Sequence, residues 1–162
     1  MGNYNFRQDL DFAKNTETVV SDILKSRNFK IIDFCDTKDF DLLVEHPTNG
    51  KTYSIEIKED FMAADTGNVA VEYECRGKSS GIASTRADAW AYVLHERARV
   101  GVYLISTIDL MSAIRQDKHH REVIGGDFGS NTKMCLFRVE SFKSMCFCLE
   151  SDISAKYGID SK

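Results

Sequence analysis

The sequence predicts an α/β fold, a central mixed β-sheet flanked by helices, with elements in the order helix, strand, strand, strand, helix, strand. Three observations carry this reading. Residues 40–45 and 52–58 are strand-like segments joined by Pro47 and Asn49-Gly50, the pattern of a β-hairpin. Residues 68–76 alternate Val69, Val71, Tyr73 and Cys75 with polar or small residues, as a strand with one packed face does. The run Val100–Ser106 is continuously apolar, as expected of a strand covered on both faces.

The 162 residues fit one domain, with a core over about residues 16–106 and a C-terminal elaboration over about 107–162. A 43% hydrophobic and 28% charged composition gives material for a core and argues against disorder. A single proline excludes a Pro-rich linker, and a net charge of −4 argues against a nonspecific nucleic-acid coat protein. No stretch resembles a transmembrane span, and the first six residues lack the basic and apolar regions of a signal peptide. Five cysteines, an odd number, then point to reduced thiols and a cytoplasmic location, with no membrane partner. Cys146-Phe147-Cys148 and His119-His120 do not match a usual zinc spacing; buried thiols are the expected reading.

In chain order, the first helix runs from Phe6 or Thr16 to Asn28, with Phe6, Phe12, Val20, Ile23 and Leu24 forming an uneven apolar stripe. Glu17 lies near that stripe, where a carboxylate needs either a partner or the helix dipole. Residues 29–34 read as a short strand. In the hairpin that follows, Tyr53, Ile55 and Ile57 alternate with Ser54, Glu56 and Lys58. A turn centred on Thr48 and Asn49 sets Asp41 opposite Glu56; one centred on Asn49 and Gly50 sets it opposite Lys58. Either register gathers Asp41, Glu56 and Lys58 on one face within roughly 5–8 Å, and a shift of one residue moves Asp41 to the other face. Two carboxylates and an ammonium so placed suit a hard divalent cation that keeps most of its waters. The alternative is an exposed, salt-bridged hairpin.

Residues 61–67 read as a loop. Residues 68–76 extend the same sheet, and Glu72 or Glu74 offers a further oxygen. Residues 77–85 form a polar loop leading into a helix over about 85–97, with Thr85 and Asp88 as its capping box. Glycine, serine and the backbone N–H groups of such a helix start suit a phosphate, with Arg76, Lys78 and Arg86 adding positive charge. A helix over 108–117 capped by Thr107, an exposed basic turn at 118–121, a loop at 125–131, a strand at 134–139 and an apolar segment at 142–149 complete the chain. The last dozen polar residues are expected to fray.

Asp41 on one strand and Glu56-Ile57-Lys58 on the next, after a helix carrying Glu17, resemble the core of the PD-(D/E)XK nuclease superfamily, the restriction-endonuclease-like fold. The stretch from Glu74 to Ile82, followed by Thr85, Ala87-Asp88 and Trp90, is similar to small nucleases encoded by bacteriophages. Phe40 stands where many members carry proline. The resemblance implies hydrolysis of DNA phosphodiester bonds with Mg²⁺, for which Mn²⁺ substitutes. It implies Asp41, Glu56, Glu17 and the Ile57 carbonyl as metal contacts, and Lys58 as the group that orients water and stabilises the transition state. It also implies Arg76, Lys78, Ser80, Thr85 and Arg86 as contacts to the DNA backbone. A phage-encoded chain would act in the host cytoplasm. The expected activity is structure-directed cleavage, such as that of branched DNA or Holliday junctions. A homodimer is the natural assembly, because cutting two strands needs two sites. The competing expectations are a non-catalytic binding or inhibitor protein on the same fold, and an RNA endonuclease.

Overall fold

The computed structural model describes residues 6–35 and 37–157, and within the first helix it describes side chains from residue 15 onward. The expected packing of Phe6 and Phe12 therefore lies outside the described side chains. The first helix, α1 (Phe6–Ser26), buries Val19, Val20, Ile23 and Leu24 at helical spacing. It ends in a left-handed turn. Asn28 takes φ 66°, its N–H reaches the Lys25 carbonyl and the Phe29 N–H reaches the Leu24 carbonyl, which satisfies two terminal acceptors.

The next elements are β1 (Lys30–Phe34), β2 (Leu42–Glu45) and β3 (Thr52–Asp60), an antiparallel meander. In the hairpin Leu42 faces Ile55 and Glu45 faces Thr52, the register of the turn centred on Thr48 and Asn49. Gly50 takes φ 66° in that turn, a conformation that favours glycine. The segment expected to be loop contains a short helix, α2 (Ala63–Thr66), stopped by Gly67 at φ 67°.

Two expectations fail at this point. First, β4 (Asn68–Cys75) does not extend the first sheet. It pairs with β5 (Lys78–Ser79) and, on its other side, with β9 (Thr132–Arg138), which in turn pairs with β8 (Arg121–Gly125), so a second sheet of order β5-β4-β9-β8 is formed. Second, no helix follows Thr85. After a 3₁₀ turn at Gly81–Ala83 the chain enters β6 (Ala89–His95), parallel to β3 and antiparallel to β7 (Val100–Ser106). Asp88 therefore does not cap a helix. Its Oδ2 accepts from the Ser54 N–H and hydroxyl at 2.9 and 3.0 Å, fastening the start of β6 to β3. The alanines that read as helix are the small members of a period-two pattern. Trp90, Tyr92 and Leu94 face one core while Ala91 and Val93 face the other.

The first sheet thus has six strands in the order β1-β2-β3-β6-β7-β10, mixed in direction, with β10 (Phe147–Glu150) antiparallel to β7 at the edge. α1 covers one face over Leu42, Val44, Ile55, Ala91, Val93 and Val102. On the other face lie the second sheet, α3 (Thr107–Arg115) and α4 (Val139–Ser144), enclosing Trp90, Tyr92, Phe137 and Phe142. The architecture is mixed α/β, but one flank of the central sheet is largely a second sheet rather than a helical layer. Ser106, not Thr107, caps α3, accepting the Asp109 N–H at 3.0 Å. The polar tail is anchored rather than frayed up to Tyr157. Ile153 donates its N–H to the Val100 carbonyl at 2.7 Å, and the buried Ser154 Oγ accepts the Val100 N–H at 3.1 Å. Among the described residues no helix is long and apolar enough to cross a membrane.

Candidate active site

The hairpin register decides what the site contains. Directly opposed residues share a sheet face, and continuing the observed pairing by one step sets Asp41 opposite Glu56. The contact is direct: the Asp41 N–H donates to the Ile55 carbonyl at 3.0 Å, and Asp41 Oδ2 accepts the Ile57 N–H at 2.6 Å. Glu56 and Lys58 lie on the same face of β3, which looks toward Trp90 and the second sheet; Ile55 and Ile57 turn toward α1. Neither Glu56 nor Lys58 makes a hydrogen bond or ion pair with the described residues.

The electrostatics follow from this crowding. Burial raises the pKa of Asp41, opposed by the Ile57 N–H and by the Lys58 ammonium. Glu56 is pushed up to about 7, first by burial and then by the Asp41 charge, against the pull of Lys58, with Glu17 adding to the rise. Glu17, on α1, is thus close enough for its charge to act on Glu56. A half-buried carboxylate in this state favours a proton or a cation.

A polar recess of about 210 Å³ opens in front of Glu56 and Lys58, walled by Asp39, Glu72, Ser80, Thr85, Arg86 and Trp90. Of the five residues expected to contact DNA, three stand here. Ser80 donates its hydroxyl to Glu72 Oε1, Thr85 Oγ1 accepts the Ala87 N–H at 3.0 Å, and the exposed Arg86 lies 3.8 Å from Asp39. Arg76 and Lys78 are exposed and do not line the recess. Glu72, not Glu74, is the additional acid of the recess; Glu74 pairs with Lys133 at 2.8 Å. The reading from sequence missed Trp90 and Asp39. Trp90 buries its indole Nε1 without a hydrogen-bond partner among the described residues. The large-small alternation of residues 89–94 is the signal that would have placed Trp90 on this face.

Beside the recess a second one of about 420 Å³ shares Lys58, Glu72 and Trp90 and adds the exposed Phe61 and Met62. Behind it, Glu59 is locked into structure, accepting the Thr16 hydroxyl at 2.6 Å and meeting His95 Nε2 at 2.7 Å, with Phe61 stacked on the His95 ring. A larger cavity, about 560 Å³, is an apolar groove on the α1 side that includes none of Asp41, Glu56 and Lys58. The polar recess is smaller, about 210 Å³, and carries the ionisable side chains Asp39, Glu56, Lys58, Glu72 and Arg86.

The donor set of Asp41 and Glu56 fits a hard cation: oxygen ligands only, partly buried, mutually repelling, with Glu56 lacking a hydrogen-bonding partner among the described residues. Glu17, Asp41 and Glu56 do not form a group of ligand atoms within 4.8 Å of one another; among the described residues such a group lies elsewhere, at His119, Glu122 and Cys135. No family profile, curated protein or solved structure matches this chain.

Proposed function

We propose that this chain is a divalent-metal-dependent endonuclease that hydrolyses phosphodiester bonds in DNA on a restriction-endonuclease-like core. One observation carries the reading: Asp41 shares a sheet face with Glu56 and Lys58, the latter two line a polar recess, and burial and the Asp41 charge raise Glu56 to about 7. The order of α1, β1, β2 and β3 followed by the parallel strand β6 supports it.

In this reading Asp41 and Glu56 hold the cation, with Glu17 contributing charge from α1 and the Ile57 backbone coupled to Asp41 through its N–H. Bound Mg²⁺, or Mn²⁺ in its place, supplies Lewis acidity and a more acidic water. Lys58 orients the attacking water and offsets charge that develops on the phosphate oxygens. The Arg86 guanidinium and the Thr85 hydroxyl are the donors at hand for the substrate's backbone, and such contacts position DNA without reading its sequence. Arg76 and Lys78, outside the recess, serve the flanking duplex. A homodimer would supply the two centres that cutting both strands requires.

Calorimetric titration with Mg²⁺, with and without DNA, separates this function from that of a non-catalytic binding protein. We expect saturable binding that is abolished in Glu56→Gln. Heats that are absent, or indifferent to Glu56→Gln, contradict the assignment.

A further inference from the structure

The second sheet brings together three donor groups that the proposed nuclease chemistry does not use. Glu122 on β8 and Cys135 on β9 are directly opposed across their antiparallel pair, so their side chains share a face. His119, three residues before Glu122, packs its ring edge-on against Phe137 at 5.9 Å. Its Nε2 lies 3.5 Å from Glu122 Oε1. One imidazole nitrogen, one carboxylate oxygen and the Cys135 sulfur all fall within 4.8 Å of one another.

Their surroundings differ from those of an ordinary surface ion pair. The His119 side chain is 9% exposed and its Nδ1 has no hydrogen-bond partner among the described residues. Cys135 is 1% exposed, whereas Glu122 remains open to solvent. The second Glu122 oxygen accepts the Tyr73 hydroxyl at 3.1 Å, an outer bond of the kind that orients a ligating carboxylate. A recess of about 260 Å³, bordered by Tyr73, Ile82, Met111 and Ile114, opens beside Glu122 and Cys135.

We propose that His119, Glu122 and Cys135 form a second metal site, for a borderline-soft divalent ion of the Zn²⁺ class, separate from the carboxylate recess. The donor chemistry selects the ion. Thiolate and imidazole are poor ligands for Mg²⁺ or Ca²⁺ and good ones for Zn²⁺. Bonds of about 2.0–2.3 Å in a tetrahedron set donor atoms roughly 3.5 Å apart. His119 and Glu122 already have that separation, and the sulfur needs to close by about 1 Å at most. Three protein ligands leave a fourth position for water or a small ligand from the recess. The ion would tie the chain leaving α3 to the β8–β9 hairpin and close the outer edge of the second sheet.

Co²⁺ titration of the chelator-stripped full chain tests the assignment, because cobalt reports thiolate ligation and tetrahedral geometry in its absorption. The expected result is a saturable thiolate-to-cobalt band that reaches its limit at one ion per chain and is bleached by Zn²⁺. The band is lost in Cys135→Ser and unchanged in Glu56→Gln. Should Cys135→Ser fail to fold, Glu122→Gln, at an exposed position, still decides: its affinity for Co²⁺ falls about 10-fold or more. The proposal is overturned by the absence of a saturable band, by its survival in Cys135→Ser, by its disappearance in Cys146→Ser or Cys148→Ser, or by unchanged affinity in Glu122→Gln.

Discussion

Glu56 and Lys58 sit two residues apart on one face of β3 and carry opposite charges when ionised. Glu56 carries a cost in the metal-free chain. Its folded pKa of about 7 lies above the ordinary value of 4.5, so between those values the unfolded chain ionises while the folded one keeps its proton. Stability is therefore lost as pH rises through that window and stays lost above it. Glu56→Gln should stabilise the metal-free protein at pH 8 by roughly 1–2 kcal/mol, a value discounted for the solvent that screens a partly exposed group, and leave it nearly unchanged at pH 4. Paired urea melts at the two pH values check this; equal midpoint shifts at both would contradict it. Lys58 makes no hydrogen bond among the described residues, but its ammonium offsets the Asp41 and Glu56 charges, so Lys58→Ala should destabilise the metal-free protein at pH 8 only modestly, by about 1 kcal/mol or less, while reducing the cleavage rate about 100-fold or more. Rate and melting curve measured on one preparation distinguish the two effects.

At the scale of elements, the hairpin was legible in the sequence because alternation and a turn signal are local. Ser54, Glu56 and Lys58 had to share a face, and the odd register brought Asp41 to the same one. β6 was not legible in the same way. Ala87, Ala89 and Ala91 raise helix propensity, and both faces of a central strand are buried, so no polar alternation marks it. Partnerships between distant segments were also hidden. Nothing local says that β4 leaves for a second sheet, or that Glu122 meets Cys135, because both facts depend on β9. The 3₁₀ turn that forms within the expected polar loop is sterically tight. Gly81 takes φ 50°, and a Cβ there would lie 2.3 Å from the Glu72 carbonyl oxygen. Gly81→Ala should therefore destabilise by roughly 1–3 kcal/mol and displace Ser80 and Glu72 from the recess wall. Denaturant unfolding measures the first effect and loss of cleavage the second; a variant as stable and active as the parent would show that the turn relaxes freely.

Across the whole molecule, the site stands on the face of the central sheet that the second sheet covers incompletely. α1 closes the opposite face, and the pairing of β3 with β6 sets Trp90 beside Glu56 and Tyr92 beside Lys58. The fold thus holds an acidic, partly desolvated pair against the buried core while leaving recesses open beside Glu56 and Lys58. A cation that binds this pair should raise the melting temperature in proportion to the logarithm of its concentration, and Glu56→Gln should remove that dependence. The most direct test of the central claim is a cleavage assay on single-stranded, duplex, flap and four-way DNA with the purified protein and Mg²⁺, run beside Glu56→Ala and Lys58→Ala. The expected result is cleavage of at least one substrate that requires the metal and is lost in both variants. Metal-independent cleavage, no cleavage of any substrate with Mg²⁺ or Mn²⁺, or full activity in Lys58→Ala would contradict it.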